Sequence, residues 1–252
     1  MTPSTPRPQS PPPTERVLPP PPRRLARHPE RPGRRPSLSR QAIVDAAIAV
    51  LDESGVSGLS MRGVAQKLGA GVASLYGHVS GREELLELVF DELVGQVPLP
   101  TPDPACWREQ VTEMLRGLRR VLMSHRDAAL AGLGRVPTSP QTLAAAEVMV
   151  ATLRLGGLSD RVVALGLDQL TLYVSACAFE DSLMQQSAMD PAEVRRYFEE
   201  VHAFYEALPS AQFPVLASIA PEMTSANGDE RFEFGLAAML AGLEAMSQRT
   251  DP

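Results

Sequence analysis

The chain has 252 residues, 44% of them hydrophobic and 5% aromatic, with a net charge of −6 at neutral pH. That is enough apolar content to bury a core. A mixture dominated by Ala, Leu, Glu and Arg, with little β-branched alternation, argues for helices and against an all-β fold. The charge is uneven: residues 1–40 carry nine arginines against Glu15 and Glu30, a balance of +7, which leaves −13 for residues 41–252. A basic arm on an acidic body suits contact with a polyanion, or a tail whose charges only keep it soluble.

Residues 1–36 hold 13 of the 24 prolines, including Pro11-Pro12-Pro13 and Pro19-Pro20-Pro21-Pro22. Such a segment is expected to be disordered or polyproline-like. Arg34 and Arg35 at its end are placed either to enter a minor groove or to remain in a solvated tail. Order is expected to begin near Ser37 to Ser39, where a serine can cap the first helix. The next segment, 40–54, puts Ile43, Ala47, Val50 and Leu51 on one helical face and stops at Gly55.

Ser60 then caps a short helix, Met61 to Leu68, with Val64, Ala65 and Leu68 pointing inward. Gly69-Ala70-Gly71 makes a turn, and a second short helix covers Val72 to Gly77. A helix from Gly81 to about Gln96, capped by Ser80, follows. Pro98, Pro100, Pro102 and Pro104 mark a boundary. Beyond it helices are predicted at 105–124, 127–134, 139–156, 160–187, 190–208 and 229–248, with 209–228 as a loop. The expected organisation is therefore an arm over 1–36, one domain over 37–97 and a second over 98–252.

Two cysteines, Cys106 and Cys177, without a CxxC spacing or an apolar leader, fit helix packing in a reducing cytoplasm. The most apolar stretch, Val162 to Phe179, is interrupted by Asp168 and Gln169, so it reads as a buried helix and not a membrane span.

Residues 60–78, S-M-R-G-V-A-Q-K-L-G-A-G-V-A-S-L-Y-G-H, have the form of a helix-turn-helix. Ala65 lies where the two helices approach, and Gly69 where the chain reverses with positive φ. The second helix can lie in a major groove. The continuation S-L-Y-G-H-V-S-G-R-E-E-L-L resembles the TetR family of transcriptional regulators in Tyr76, His78, Ser80, Arg82, Leu85 and Leu86. The fold this implies is all-α: an N-terminal three-helix DNA-binding domain and a C-terminal helical domain for ligand binding and dimerisation.

The resemblance places Arg62, Ser74, Tyr76, His78 and Arg82 at DNA. Ser74 and Tyr76 would donate hydroxyl bonds to phosphates, Arg82 would pair with a phosphate near a helix N-terminus, and Arg62 would grip phosphate or guanine. Val72 and Ala73 occupy base-facing positions with only apolar side chains, so DNA shape would carry part of the specificity.

Residues 105–248 resemble the tetracycline repressor subgroup at Trp107, Ser124-His125-Arg126-Asp127, Leu133-Gly134, Pro137, Glu180-Asp181 and Phe234-Gly235-Leu236. That likeness implies a four-helix dimer interface built from helices 160–187 and 229–248. Gly166, Ser175, Ala176, Gly235, Ala238, Gly242 and Ala245 permit close helix approach, with Leu236, Leu240 and Leu243 as apolar contacts.

The subgroup holds a magnesium–drug chelate with polar side chains. Pro98, Met114, Gly132 and Val148 stand at the aligned positions here, so tetracycline is not the expected effector and neither metal nor cofactor is implied. The expected pocket is apolar, lined by Met114, Leu118, Val148, Phe179 and Met184, with Arg135 and Glu180 as polar candidates. The expected partners are operator DNA, a small-molecule effector and a second copy of the chain. Two other readings compete. Glu199-x-x-His202 has the spacing of a di-iron half-site on a helix, although no second such pair occurs. The proline-rich arm could instead dock a partner protein.

Overall fold

The computed structural model describes residues 38–134, 136–186 and 190–249. Arg34, Arg35 and the rest of the arm, and Arg135, lie outside the described residues. Eleven helices and no strand occur among those described. Four form the N-terminal part: α1 (Arg40–Gly58), α2 (Met61–Lys67), α3 (Val72–Leu75) and α4 (Arg82–Val94). Seven follow: α5 (Trp107–Ser124), α6 (Ala128–Gly132), α7 (Pro140–Leu155), α8 (Asp160–Gln186), α9 (Pro191–Glu206), α10 (Pro214–Ser225) and α11 (Gly228–Arg249).

Local chemistry sets the helix starts. Ser39 accepts the N–H of Ala42 at 3.1 Å and caps α1. Ser60 does the same for α2 through Gly63, also at 3.1 Å, satisfying donors that no carbonyl can reach. At α4 the expectation of a Ser80 cap needs correction. Gly81 is the N-cap and offers no side chain. Glu84 instead reaches back to the Ser80 N–H at 2.7 Å.

One cluster of buried side chains joins Ile43 and Leu51 of α1, Val64 of α2, Leu75 of α3 and Leu85 and Leu93 of α4. It continues without a break into Leu122, Ala128 and Ala178 of α5, α6 and α8. A second cluster lies deeper in the C-terminal part, around Leu115, Leu153, Leu170, Val174, Phe232 and Leu236. Each such side chain contributes about 1.5–3 kcal/mol on leaving water.

Helix α8 is long and apolar enough to cross a bilayer. Its inner face is instead buried against α5, α7 and α11. Tyr173 of α8 stacks on Phe232 of α11, ring centroids 5.8 Å apart. Arg119 of α5 holds Asp181 of α8 and Asp229 of α11, each at 2.7 Å. Burial alone would lower the Arg119 pKa, and these carboxylates outweigh it and hold the guanidinium above its ordinary value.

The predicted loop at 209–228 is corrected by α10, which packs on α9. Pro214 stands in its first turn, where the missing N–H has no carbonyl to lose. Pro221 lies inside the helix, where it has no N–H to donate to the carbonyl four residues back. Buried Ala220, and Thr224 bonded to His202 of α9, hold the segment nonetheless.

Candidate DNA-reading head and effector cavity

The turn between α2 and α3 is set by Gly69, at φ 61°, a left-handed conformation that glycine adopts without strain. It lets the N–H of Ala70 return to the carbonyl of Ala65 at 2.9 Å. Ala65 itself is buried at the helix contact, and there is no room for a larger side chain without separating α2 from its neighbours. Helix α3 is a single turn, extended by the bonds His78 N–H to Leu75 O at 2.9 Å and Val79 N–H to Leu75 O at 3.0 Å.

Leu75 and Val79 point into the core. Arg62, Ala73, Ser74, Tyr76 and His78 are exposed, while Val72 is half-buried and packs on the core. Tyr76 leaves 56% of its surface in water, so its ring is not part of the hydrophobic core and its face is open to a partner.

Arg82 is turned inward. Its guanidinium donates to the Leu59 carbonyl at 2.9 Å and the Val56 carbonyl at 2.6 Å. It is thus first a strut between α4 and the α1–α2 corner, with only its remaining N–H groups available to a phosphate.

The second site is a cavity of about 350 Å³ between α4, α5, the α6–α7 connection, α7 and α8. Its walls are mostly apolar: Phe90 and Val94 of α4, Met114 and Leu118 of α5, and Met149 of α7. Asp168, Thr171 and Ser175 of α8 and Thr142 of α7 supply polar groups.

Of the expected pocket residues, Met114 and Leu118 line this cavity. Val148, Phe179, Glu180 and Met184 do not, for reasons of helix phase. Val148 packs on the deeper core, and Phe179 packs on the core shared with α1–α4. Glu180 pairs with Arg231 at 3.0 Å, and Met184 is exposed. Gly132, singled out as an aligned position, does line the cavity, and a Cβ on it would run into the Phe90 ring. The aromatic ring thus occupies the space a side chain at 132 would need.

Two contacts tie the head to the cavity walls. Asp91 of α4, almost fully buried, accepts the backbone N–H of Thr142 at the start of α7 at 2.8 Å. At the other, Gly55 takes φ 68° inside α1, and the α5–α6 connection docks there. His125 Nδ1 meets Asp52 at 3.1 Å and Asp127 accepts the Val56 N–H at 3.3 Å.

The competing metal reading finds little in this geometry. His202 is bonded to Thr224 on one ring nitrogen and lies 3.3 Å from Glu206 on the other. No group of three or more His, Cys, Asp or Glu side chains is arranged to hold a metal among the described residues.

Residues 43–89 match the family "Bacterial regulatory proteins, tetR family". Residues 99–247 match "Tetracyclin repressor-like, C-terminal domain". The chain belongs to the TetR family.

It is 32% identical over 218 residues to an HTH-type transcriptional regulator of Saccharopolyspora erythraea, covering 86% of this chain and 89% of that one. It is 30% identical to the HTH-type transcriptional repressor DrrR1 of Streptomyces coeruleorubidus, over 87% of this chain and 82% of that one. Among solved structures, apo ActR of Streptomyces coelicolor superposes with a TM-score of 0.77 at 40% identity, covering 86% of this chain and 99% of that one. ActR has also been solved in complex with actinorhodin, with a TM-score of 0.77 at 41% identity over 84% of this chain and 98% of that one. As a TetR-family protein, the chain is a ligand-responsive, DNA-binding transcriptional repressor.

Sequence reasoning missed Phe90, Asp91 and Thr142 as cavity and coupling residues. Phe90 and Asp91 lie within a helix predicted from Gly81 to about Gln96 without a role for either, and the three meet only in the folded chain.

Proposed function

We propose that the chain acts in the cytoplasm as a homodimer that holds a palindromic operator and releases it when a small, largely apolar molecule enters the cavity. Catalysis forms no part of this reading. The observation that carries it is that Phe90 and Val94, on the helix that follows the reading head directly, form a wall of the cavity. An occupant that displaces them moves α4, and with it α3. The two recognition helices of a dimer reach successive major grooves only at about 34–36 Å separation, so a tilt of α4 shifts the population away from the operator-bound state.

The operator contacts are assigned to Arg62, Val72, Ala73, Ser74, Tyr76 and His78, with Arg82 supporting the head. The ActR complexes support a small-molecule occupant here. The wall chemistry favours a molecule with an apolar body and a few polar groups directed at Asp168, Thr171 and Ser175.

Dimerisation is supported by two exposed stripes on neighbouring helices. Helix α8 leaves Leu165, Leu172, Ala176 and Leu183 in solvent, and α11 leaves Phe234, Ala238, Ala241 and Ala245. Repeats of three and four residues put each set on one helical face. Leu236 and Leu240, expected at this interface, are buried in the protomer's own core, so Phe234 and the alanines take their place. A two-fold partner covers both stripes and doubles the DNA contacts.

Selection of bound duplexes from a random pool, with wild type beside Tyr76→Ala, tests the proposal. A palindrome enriched by the wild type and not by the variant supports it. A folded wild type that enriches no duplex, with or without cell extract as a source of effector, overturns it.

A further inference from the structure

The polar groups that line the cavity between α4, α5, α7 and α8 share one character. Its charged lining side chains among the described residues are Glu87 of α4 and Asp168 of α8, both acids, and no lysine, arginine or histidine stands with them. Carboxylates elsewhere on the C-terminal helices are neutralised. Asp181 and Asp229 hold Arg119, Glu180 holds Arg231, and Glu233 holds Arg116. Asp168 sits two turns into α8, clear of both helix ends, and its carboxylate has no hydrogen bond or ion pair among the described residues.

The lining hydroxyls are turned to accept as well. The Thr171 hydroxyl donates to the Leu167 carbonyl at 2.8 Å, and that of Thr142 donates to the Ser139 carbonyl at 2.9 Å. A hydroxyl has one proton and two lone pairs, so each has only an acceptor left for an occupant. The ring face of Phe90 and the thioethers of Met114 and Met149 add surface that tolerates a cation. Carboxylates and spent hydroxyls are matched by a group with donors only and a positive charge, and a protonated amine has both. A carboxylate or phosphate would meet like charge there, which is costly away from bulk water.

We propose that the cavity takes an organic cation, a protonated amine on an apolar body. The amine sets against Asp168 and Thr171 of α8, and the body lies on Met114, Leu118 and Met149. Asp168 then selects the charge of the effector, and the apolar walls select its size. The inference rests on this cavity being the effector site.

Three compounds with one ring system test it on the full chain without DNA: naphthylmethylamine, naphthylmethanol and naphthylacetate, which near neutral pH are cation, neutral and anion. Titration calorimetry compares wild type with Asp168→Asn, which removes the charge at constant size, Asp168→Glu, which keeps it, and Gly132→Val, which fills the cavity. The wild type should bind the cation roughly tenfold or more tightly than the anion. Asp168→Asn should lose roughly fivefold or more in cation affinity and leave the neutral compound unchanged. Asp168→Glu should retain the preference, and Gly132→Val should bind none of the three. Equal affinity for all three in the wild type overturns the proposal and leaves the effector site standing. So does a cation preference that survives in Asp168→Asn. Cation binding that survives in Gly132→Val overturns it too, since the acidic surface would then be the attractor. Failure of all three to bind the wild type overturns both the charge assignment and the cavity as the effector site.

Discussion

Asp91 of α4 caps the N-terminus of α7 by accepting the Thr142 N–H at 2.8 Å. A carboxylate normally caps its own helix. Here Ser139, at the N-cap position, makes no side-chain capping bond, and Asp91 of α4 supplies the missing acceptor. The bond is local in space but joins two walls of the cavity, so it senses their separation.

Asp91→Ala is therefore expected to destabilise the fold by about 1–2 kcal/mol, the usual loss of a helix cap. Urea denaturation measures it. Asp91→Asn, which keeps an acceptor oxygen, should recover most of the loss. Equal stability of Asp91→Ala and the wild type would mean that the cap contributes nothing.

Filling the cavity should separate the two activities. In Gly132→Val the new side chain collides with the Phe90 ring and drives it into the space an effector would use. Such overpacking costs about 1–3 kcal/mol. The expected variant binds the selected operator and no longer releases it on adding effector-containing extract. Operator release as complete as in the wild type would place the effector elsewhere.

Phe234 is 78% exposed on α11, in line with Ala238, Ala241 and Ala245. Phe234→Lys should put charge into a packed dimer contact and raise the dissociation constant by roughly tenfold or more. Sedimentation across a concentration series reads this. Thermal stability extrapolated to low concentration should change little, because Phe234 contributes little to the protomer's own core.

Glu84 gives the fold an acid-sensitive bond. The backbone N–H of Ser80 is the main cause that holds its carboxyl below the ordinary 4.5, with the Ser80 hydroxyl and Arg40 adding to it. A carboxyl depressed on folding stabilises fully above its unfolded value, and that share is lost as pH falls through the lower folded value. The stability gap between wild type and Glu84→Gln should thus be constant near neutrality. It should narrow below about pH 4.5 and close in stronger acid. A gap that persists at the acid end would mean that Glu84 acts through packing and not charge.

Most of the helices and the reading head were legible in the sequence because their signals are local. Ser60 and the inward Val64, Ala65 and Leu68 specify a helix, Gly69 a turn, and a second short helix follows over Val72 to Gly77. The α10 segment, expected as a loop, carries Pro214 in its first turn and Pro221 inside the helix, and a proline in the first turn favours a helix. The cavity was only partly legible. Met114 and Leu118 follow from the phase of α5, but the α8 wall depends on a rotation of about one residue: Asp168, Thr171 and Ser175 face the cavity while Phe179 and Glu180 have turned to other neighbours. Periodicity shows that a helix has two faces, and only its packing partners decide what each face meets.

The corner at Gly55 also holds the head. A side chain there would collide with the Asp127 carboxylate, so the α5–α6 connection lies directly against α1. The head therefore meets the C-terminal helices at this corner as well as along α4, and one buried cluster spans both contacts.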